Sequence, residues 1–232
     1  MIQVFPAESR YQVDQGWLRS RLSFSFGSYF DPNNTSFGVM RVCNDDEVDA
    51  GKGFGAHPHS DMEVVTLVLE GAIRHEDNLG NSEVAKVGEL QRMSAGSGIV
   101  HAEYNASDHE SMRILQLWFM PNERGLTPSY ETSRYDQDKL INALLPIVNP
   151  QGSLHTAKIH QDLTIYLSKI EAGKELVFEQ AEGRRVFLFI IEGTILVNEL
   201  RLSRRDTARI ESLSRMTMAA EEDAFLMLID LP

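Results

Sequence analysis

Leu67-Val68-Leu69-Glu70-Gly71-Ala72-Ile73 is an apolar run that breaks at a Glu-Gly pair and resumes, and the pattern returns as Phe189-Ile190-Ile191-Glu192-Gly193-Thr194-Ile195. Short apolar runs closed by a glycine, the residue that accepts positive φ, read as β-strands joined by tight turns. Val64–Leu69, Ile73–His75, Ile114–Met120, Val186–Ile191, Ile195–Val197 and Phe225–Ile229 are stretches of the same kind, separated by Gly, Asn and Asp. The spacing predicts an all-β sandwich or barrel. Helical periodicity is best over Asp136–Leu145, followed by Pro146 and by Asn149-Pro150-Gln151-Gly152, which places a boundary near residues 130–150. Each half closes on an apolar stretch and a proline, Leu115–Pro121 and Leu226–Pro232. A chain of 232 residues thus divides into an N-terminal domain over 1–135 and a C-terminal domain over 136–232, related by duplication.

Composition narrows the function classes. Apolar residues at 42% and charged residues at 24% are those of a globular protein. With 34 acidic against 22 basic residues the net charge of −12 repels a phosphate backbone, so nucleic acid is not expected as a direct partner. The single cysteine, Cys43, has no partner for an internal disulfide, which suits a reducing compartment. Met1–Ser20 lacks an apolar secretory core, and no apolar run approaches the ~18–20 residues of a membrane span, so no membrane association and a cytoplasmic location are expected. No Gly-x-Ser-x-Gly elbow is present. Asp45-Asp46-Glu47 and Glu221-Glu222-Asp223 read as solvated turns.

The chemistry concentrates in His57-Pro58-His59 and His101-Ala102-Glu103. Residues two apart on a strand share a face, so each cluster presents a pair of donors to one side. Two such pairs brought together across a folded sheet offer three imidazoles and a carboxylate, a set that suits a first-row divalent metal and leaves coordination positions open. Glu63 shares parity with its neighbouring histidine as well, so spacing alone does not choose between Glu63 and Glu103. Gly71 and Gly193 are 122 residues apart, an offset that sets His57 against Glu179 and His59 against Ala181, and no histidine follows His160. One metal site per chain, in the N-terminal half, is the expectation. His109, His155 and His160 read as surface or satisfied core residues; His75 and Asp77 read as a brace for the Asn78–Asn81 turn. Phe24, Phe26, Tyr29 and Phe30 read as core, and Gln91 and Met93 as weak candidates for a pocket wall.

Gly51-x5-His57-x-His59-x3-Glu63-x7-Gly71 resembles the first motif of the cupin superfamily, and Gly88 to Asn105, with Gly96, Gly98 and His101, resembles a variant of the second. The wording is closer to the pirin family: Gly53-Phe54-Gly55-x-His57-Pro58-His59, His75-x-Asp77, and Met93-x-Ala95-Gly96-x-Gly98-Ile99-x-His101-x-Glu103. Gly16-Trp17-Leu18 and Tyr29-Phe30-Asp31-Pro32 are similar to its bacterial branch. The resemblance implies a bicupin of two antiparallel jelly-roll barrels with few short helices, and metal only in the first. It implies His57, His59, His101 and Glu103 as ligands, Glu103 also taking a catalytic proton and Glu63 a supporting place. It implies quercetin 2,3-dioxygenase activity on a flavonol with dioxygen, and Fe(II) as the metal, although the same donors accept Mn, Ni, Co, Cu or Zn. A metal- or redox-sensing regulatory protein without turnover is the other role the resemblance allows.

Overall fold

The computed structural model describes residues Met1–Pro232. It is built of antiparallel strands, with two short 3-10 helices at Ala7–Ser9 and Gln137–Leu140. The helix expected over Asp136–Leu145 is therefore reduced to a single capped turn, in which the Asp136 side chain accepts from the Asp138 N–H. Leu145 already belongs to the strand Leu145–Asn149, where it pairs with Leu167, and Pro146 could not continue a helix. No helix is long and apolar enough to cross a membrane.

The chain forms two compact units: Tyr11–Tyr135 with Gln151–Gln161, and Met1–Arg10 with Asp136–Pro150 and Asp162–Pro232. This division differs from a single cut after residue 135 because pairing, not chain order, defines a sheet. Ile2–Phe5 adds to the strand Thr207–Glu211, and Lys158 donates its backbone N–H to Glu131.

In the first unit a seven-stranded sheet runs in the order Ser129–Arg134, Glu89–Ser94, Glu63–Glu70, Met112–Phe119, Met40–Val48, Leu18–Leu22, Tyr11–Asp14. Its companion has four strands in the order Gly53–His59, Ile99–Asn105, Ala72–Asp77, Ser82–Lys86. The second unit repeats this plan. Its four-stranded sheet orders Glu175–Glu179, Arg215–Ala220, Thr194–Val197, Leu200–Ser203, and its larger sheet centres on Arg185–Glu192 between Thr207–Glu211 and Ala224–Leu231.

The Glu-Gly repeat marks equivalent corners. Gly71 and Gly193 have φ of +71° and +79°, and a Cβ on either would press on the backbone of Met112 or Ala224 at 3.1 or 2.8 Å. Only glycine satisfies both the turn and the close approach. The second unit's interior is continuously apolar, with Phe178, Ile195, Val197, Met216 and Met218 in one buried cluster. In the first unit apolar packing is divided around a polar centre: Leu18, Val68, Ile73 and Ile114 pack on one side, Val64, Met93, Ala95 and Ile99 on another.

Candidate metal centre

Ile99–Asn105 is the strand on which the centre is built. It pairs with Gly53–His59 on one side, setting His101 across from His57 and Ile99 across from His59. It pairs with Ala72–Asp77 on the other, setting Glu103 across from His75 and His101 across from Asp77. Alternation then sends all six polar side chains to one face. A register shift between His101 and Glu103 brings Phe54 across from Glu103, and the strands approach closely there: a Cβ on Gly53 would lie 2.3 Å from the Glu103 carbonyl oxygen. Gly53 is thus required by the packing of the site's own backbone.

The imidazoles of His57, His59 and His101 converge, with ring centroids 4.5–4.9 Å apart. Their candidate ligand atoms all lie within 4.8 Å of one another. Glu103 falls in a second group of the same compactness, with His75 and His101, so His101 belongs to both. Glu103 is buried; its Oε2 accepts from Gln116 Nε2 at 2.9 Å and its Oε1 from Thr66 Oγ1 at 3.3 Å. Burial pushes its carboxyl up to about 7, against the pull of those two donors.

The hydrogen bonds assign tautomers, and the tautomers test whether a metal fits. Nδ1 of His57 lies 2.7 Å from the Gly55 carbonyl oxygen, which only accepts, so Nδ1 carries the proton and Nε2 the lone pair. Nε2 of His75 lies 2.9 Å from Asp77 Oδ2 and donates to it, leaving the His75 Nδ1 lone pair aimed at His101 Nδ1, 3.3 Å away. His101 therefore donates from Nδ1 and has its own lone pair on Nε2. Nε2 of His101 lies 3.1 Å from Nε2 of His57. Two lone pairs meet at a separation where each needs a cation. A proton is a poor one: burial, and next the neighbouring histidines, push His101 down to about 3. Burial and then His57 lower His59 to about 4. Imidazoles held neutral in this way keep their lone pairs for a metal well into the acid range.

Asp77 supports this from behind. Burial raises its carboxyl, but bonds from His75, Asn81 and Leu79 outweigh that and hold it below the ordinary value. His75, lowered chiefly by burial, also stacks on Tyr130 with centroids 3.9 Å apart. The pair does brace the hairpin turn, as its position suggests, and it also fixes the orientation of His101. Sequence reading missed that second role, although the parity shared by His75, Asp77, His101 and Glu103 carried it.

Glu63 stands elsewhere. It is buried, accepts from Ser94 Oγ at 2.9 Å and from the His160 backbone N–H at 3.2 Å, and lies 3.5 Å from His160 Nδ1. Its strand neighbours Val64 and Thr66 face the centre, so alternation turns Glu63 away, and the supporting place expected beside a site histidine is not where it lies. His160 is accordingly a partner of Glu63 and Ser94, while His155 is exposed and bonded to the Arg134 carbonyl.

A cavity of about 60 Å³ adjoins the three histidines, walled by Phe26, Phe54, Val64 and Trp118 with Asn44, Asp46, Glu103 and Gln116. Of the aromatics read as core, Phe24 is fully buried, Phe26 lines this cavity and Phe30 is exposed. Met93 packs in an apolar cluster, and Gln91 borders the tight space behind Glu103. Asp45 and Asp46 are not in a solvated turn. They lie inside the strand Met40–Val48, at 1% and 4% exposure, Asp45 paired with Arg113 at 2.9 Å and Asp46 facing the cavity. Glu221-Glu222-Asp223 is an exposed turn, as read.

Comparison with known proteins finds relatives over the whole chain. Residues 5–119 match the Pirin family, and residues 146–231 match the quercetinase C-terminal cupin domain. Quercetin 2,3-dioxygenase of Escherichia coli K12 is 39% identical over 232 residues, covering 100% of this chain and 99% of the relative. A pirin-like protein of Caulobacter vibrioides is 38% identical, with 99% of each chain covered. The crystal structure of the Escherichia coli bacterial pirin YhhW in complex with nickel(II) superposes with a TM-score of 0.95 at 39% identity, covering 100% of this chain and 99% of that one.

Proposed function

The chain belongs to the pirin family, and from that premise we propose that it is a metal-dependent dioxygenase that opens the heterocycle of a flavonol in the manner of quercetin 2,3-dioxygenase. The observation that carries this reading is the meeting of the His57 and His101 lone pairs, 3.1 Å apart, beside a cavity with a buried carboxylate in its wall. In the proposal His57, His59 and His101 hold one divalent ion, Fe(II) by preference, with Glu103 as the fourth donor. Such an ion, when bound, supplies Lewis acidity and lowers the pKa of a hydroxyl brought to it. Glu103 takes the proton of the flavonol 3-hydroxyl. Gln116 and Thr66 hold the carboxylate in place while it does so. Phe26, Phe54 and Trp118 bound the space in which an aromatic ring is oriented and bulk water excluded. Both atoms of dioxygen end in the opened product and one ring carbon leaves as carbon monoxide.

Anaerobic addition of quercetin to iron-loaded protein is expected to shift the flavonol absorption. Admission of oxygen should then bleach it with release of one carbon monoxide per flavonol. A specific observation favours a second reading. About 60 Å³ is less than the ~300–1,000 Å³ of most ligand sites, and a metal-sensing regulatory protein needs no more. A flavonol spectrum unmoved by the loaded protein would decide for that reading, and elemental analysis of protein purified without added metal would identify the ion.

A further inference from the structure

A second cavity, of about 110 Å³, lies against the first and shares Phe26, Asn44, Asp46 and Phe54 with it. Its remaining walls are largely apolar, from Val13, Leu18 and Leu22, and exposed Gly27 and Ser28 stand at its rim. Into this apolar space the larger sheet sends polar side chains that the fold does not need. Asn44 and Asp46 are two apart on one strand, and Ser20 is across from Asp46 on the next. All three are buried, at 3–5% exposure. The Oδ1 atoms of Asn44 and Asp46 and the hydroxyl of Ser20 have no hydrogen-bond partner. An acceptor taken from water and left unbonded is unfavourable to folding, and a strand that keeps two of them facing one cavity keeps them for a ligand.

We infer that Asn44 and Asp46, with Ser20 beside them, form a subsite that receives a phenolic hydroxyl of the substrate where the second cavity meets the one beside the histidines. The inference deepens the reading above, from which it takes the aromatic character of the ligand. Two acceptors and a hydroxyl left unbonded call for a group that both donates and accepts, and apolar walls call for that group to be carried on a ring. Apolar cavities of roughly 150 Å³ take up benzene, and the two abutting spaces, about 60 and 110 Å³, together have room for a ring that bears a hydroxyl. The second space also adds to the small volume beside the histidines. Asn44 lies across from Gln116, whose side chain donates to Glu103, so the hydroxyl subsite and the residue that holds the proton-accepting carboxylate are built on adjacent strands. A substrate gripped at both ends is set in register with the reacting carbon, and a site that hydrogen-bonds a hydroxyl discriminates strongly against the analogue that lacks it.

One-ring probes test the subsite without metal, oxygen or turnover. In titrations of the full-length protein followed by ligand-observed NMR, 4-methylphenol is expected to bind at least about tenfold more tightly than toluene. Asp46→Leu and Asn44→Leu, each close to isosteric, should abolish or reverse that preference, an outcome that a merely structural role for either residue would not produce. If one variant fails to fold, the other carries the test. Equal binding of the two probes by the wild type would overturn the inference, as would an unchanged preference in a folded variant. Tighter binding of benzylamine than of 4-methylphenol would reassign the subsite to cations and overturn it too. Selective phenol binding without flavonol oxidation would leave the subsite standing and the dioxygenase reading refuted; flavonol oxidation without the phenol preference would do the reverse.

Discussion

The two four-stranded sheets of this protein share a strand order and differ in what their inner faces carry. Ile73 pairs with Asn105 in the first, and Ile195, its counterpart 122 residues on, pairs with Ala220 in the second. Stepping along the strands from that pair sets Glu103 against Met218, His101 against Met216 and His75 against Val197. His57, across from His101, corresponds to Phe178, across from Met216. The uniform offset of 122 instead sets His57 against Glu179, one residue away, and the register shift between His101 and Glu103 accounts for the difference. Where one sheet presents imidazoles and a carboxylate to a cavity, the other presents Met, Val and Phe to a filled core. One backbone supports either outcome. Burying apolar side chains stabilises the second unit directly, whereas the first keeps polar groups out of water in return for a place where a cation and a ligand can bind.

Substitutions that exchange features between the sheets should break this contrast in graded steps. The largest effect belongs to His101→Met, which copies Met216 into the first sheet. Metal content measured by elemental analysis should fall from about one ion per chain to background, while His155→Ala leaves it unchanged. Equal retention by both would remove His101 from the centre. Next in size is a loss on the other side: Met218→Ala opens a void in the second unit's core and should cost roughly 2–5 kcal/mol in denaturant unfolding, with metal content unaffected. A smaller change is expected at His75→Phe. Phe can keep the stacking on Tyr130 but can neither accept from His101 nor donate to Asp77, so metal affinity by calorimetry should fall roughly 10–100-fold, with a loss of metal-free stability from the Asp77 carboxylate that loses a donor.

The smallest effect is a pH dependence. Burial raises the Asp46 carboxyl from 3.8 to about 7, so the folded state binds its proton more tightly than the unfolded state does. Asp46 therefore costs no stability below pH 4, an increasing amount as pH rises, and its full penalty above pH 7. Asp46→Asn removes that penalty, and its gain in unfolding free energy should be larger at pH 8 than at pH 6 by on the order of 1–2 kcal/mol. A gain independent of pH would show that the carboxyl is not buried as described.

Much of this was legible in the residues because it rests on local periodicity. Alternation and turn glycines gave the strands, and the two His-x-His and His-x-Glu spacings placed their side chains on common faces. Local pattern failed where strand pairing decided the environment. Asp45-Asp46-Glu47 has the composition of a turn, yet two flanking strands hold it inside a sheet, one carboxylate neutralised by Arg113 and the other turned to the cavity. Asp136–Leu145 has the period of a helix, yet Leu145 is claimed by Leu167 across a sheet.

By itself the sequence determined which half could hold a metal, since histidines cannot be supplied where none are encoded, and it determined which donors share a face, since alternation along a strand is covalent geometry. Tertiary structure alone decided which carboxylate turns inward, Glu103 or Glu63, and that His75 and Asp77 fix the proton on His101. It also decided that Asn44 and Asp46 stand unbonded at a cavity. Those outcomes depend on partners from strands distant in the chain, whose register is set by packing and by no local run of residues.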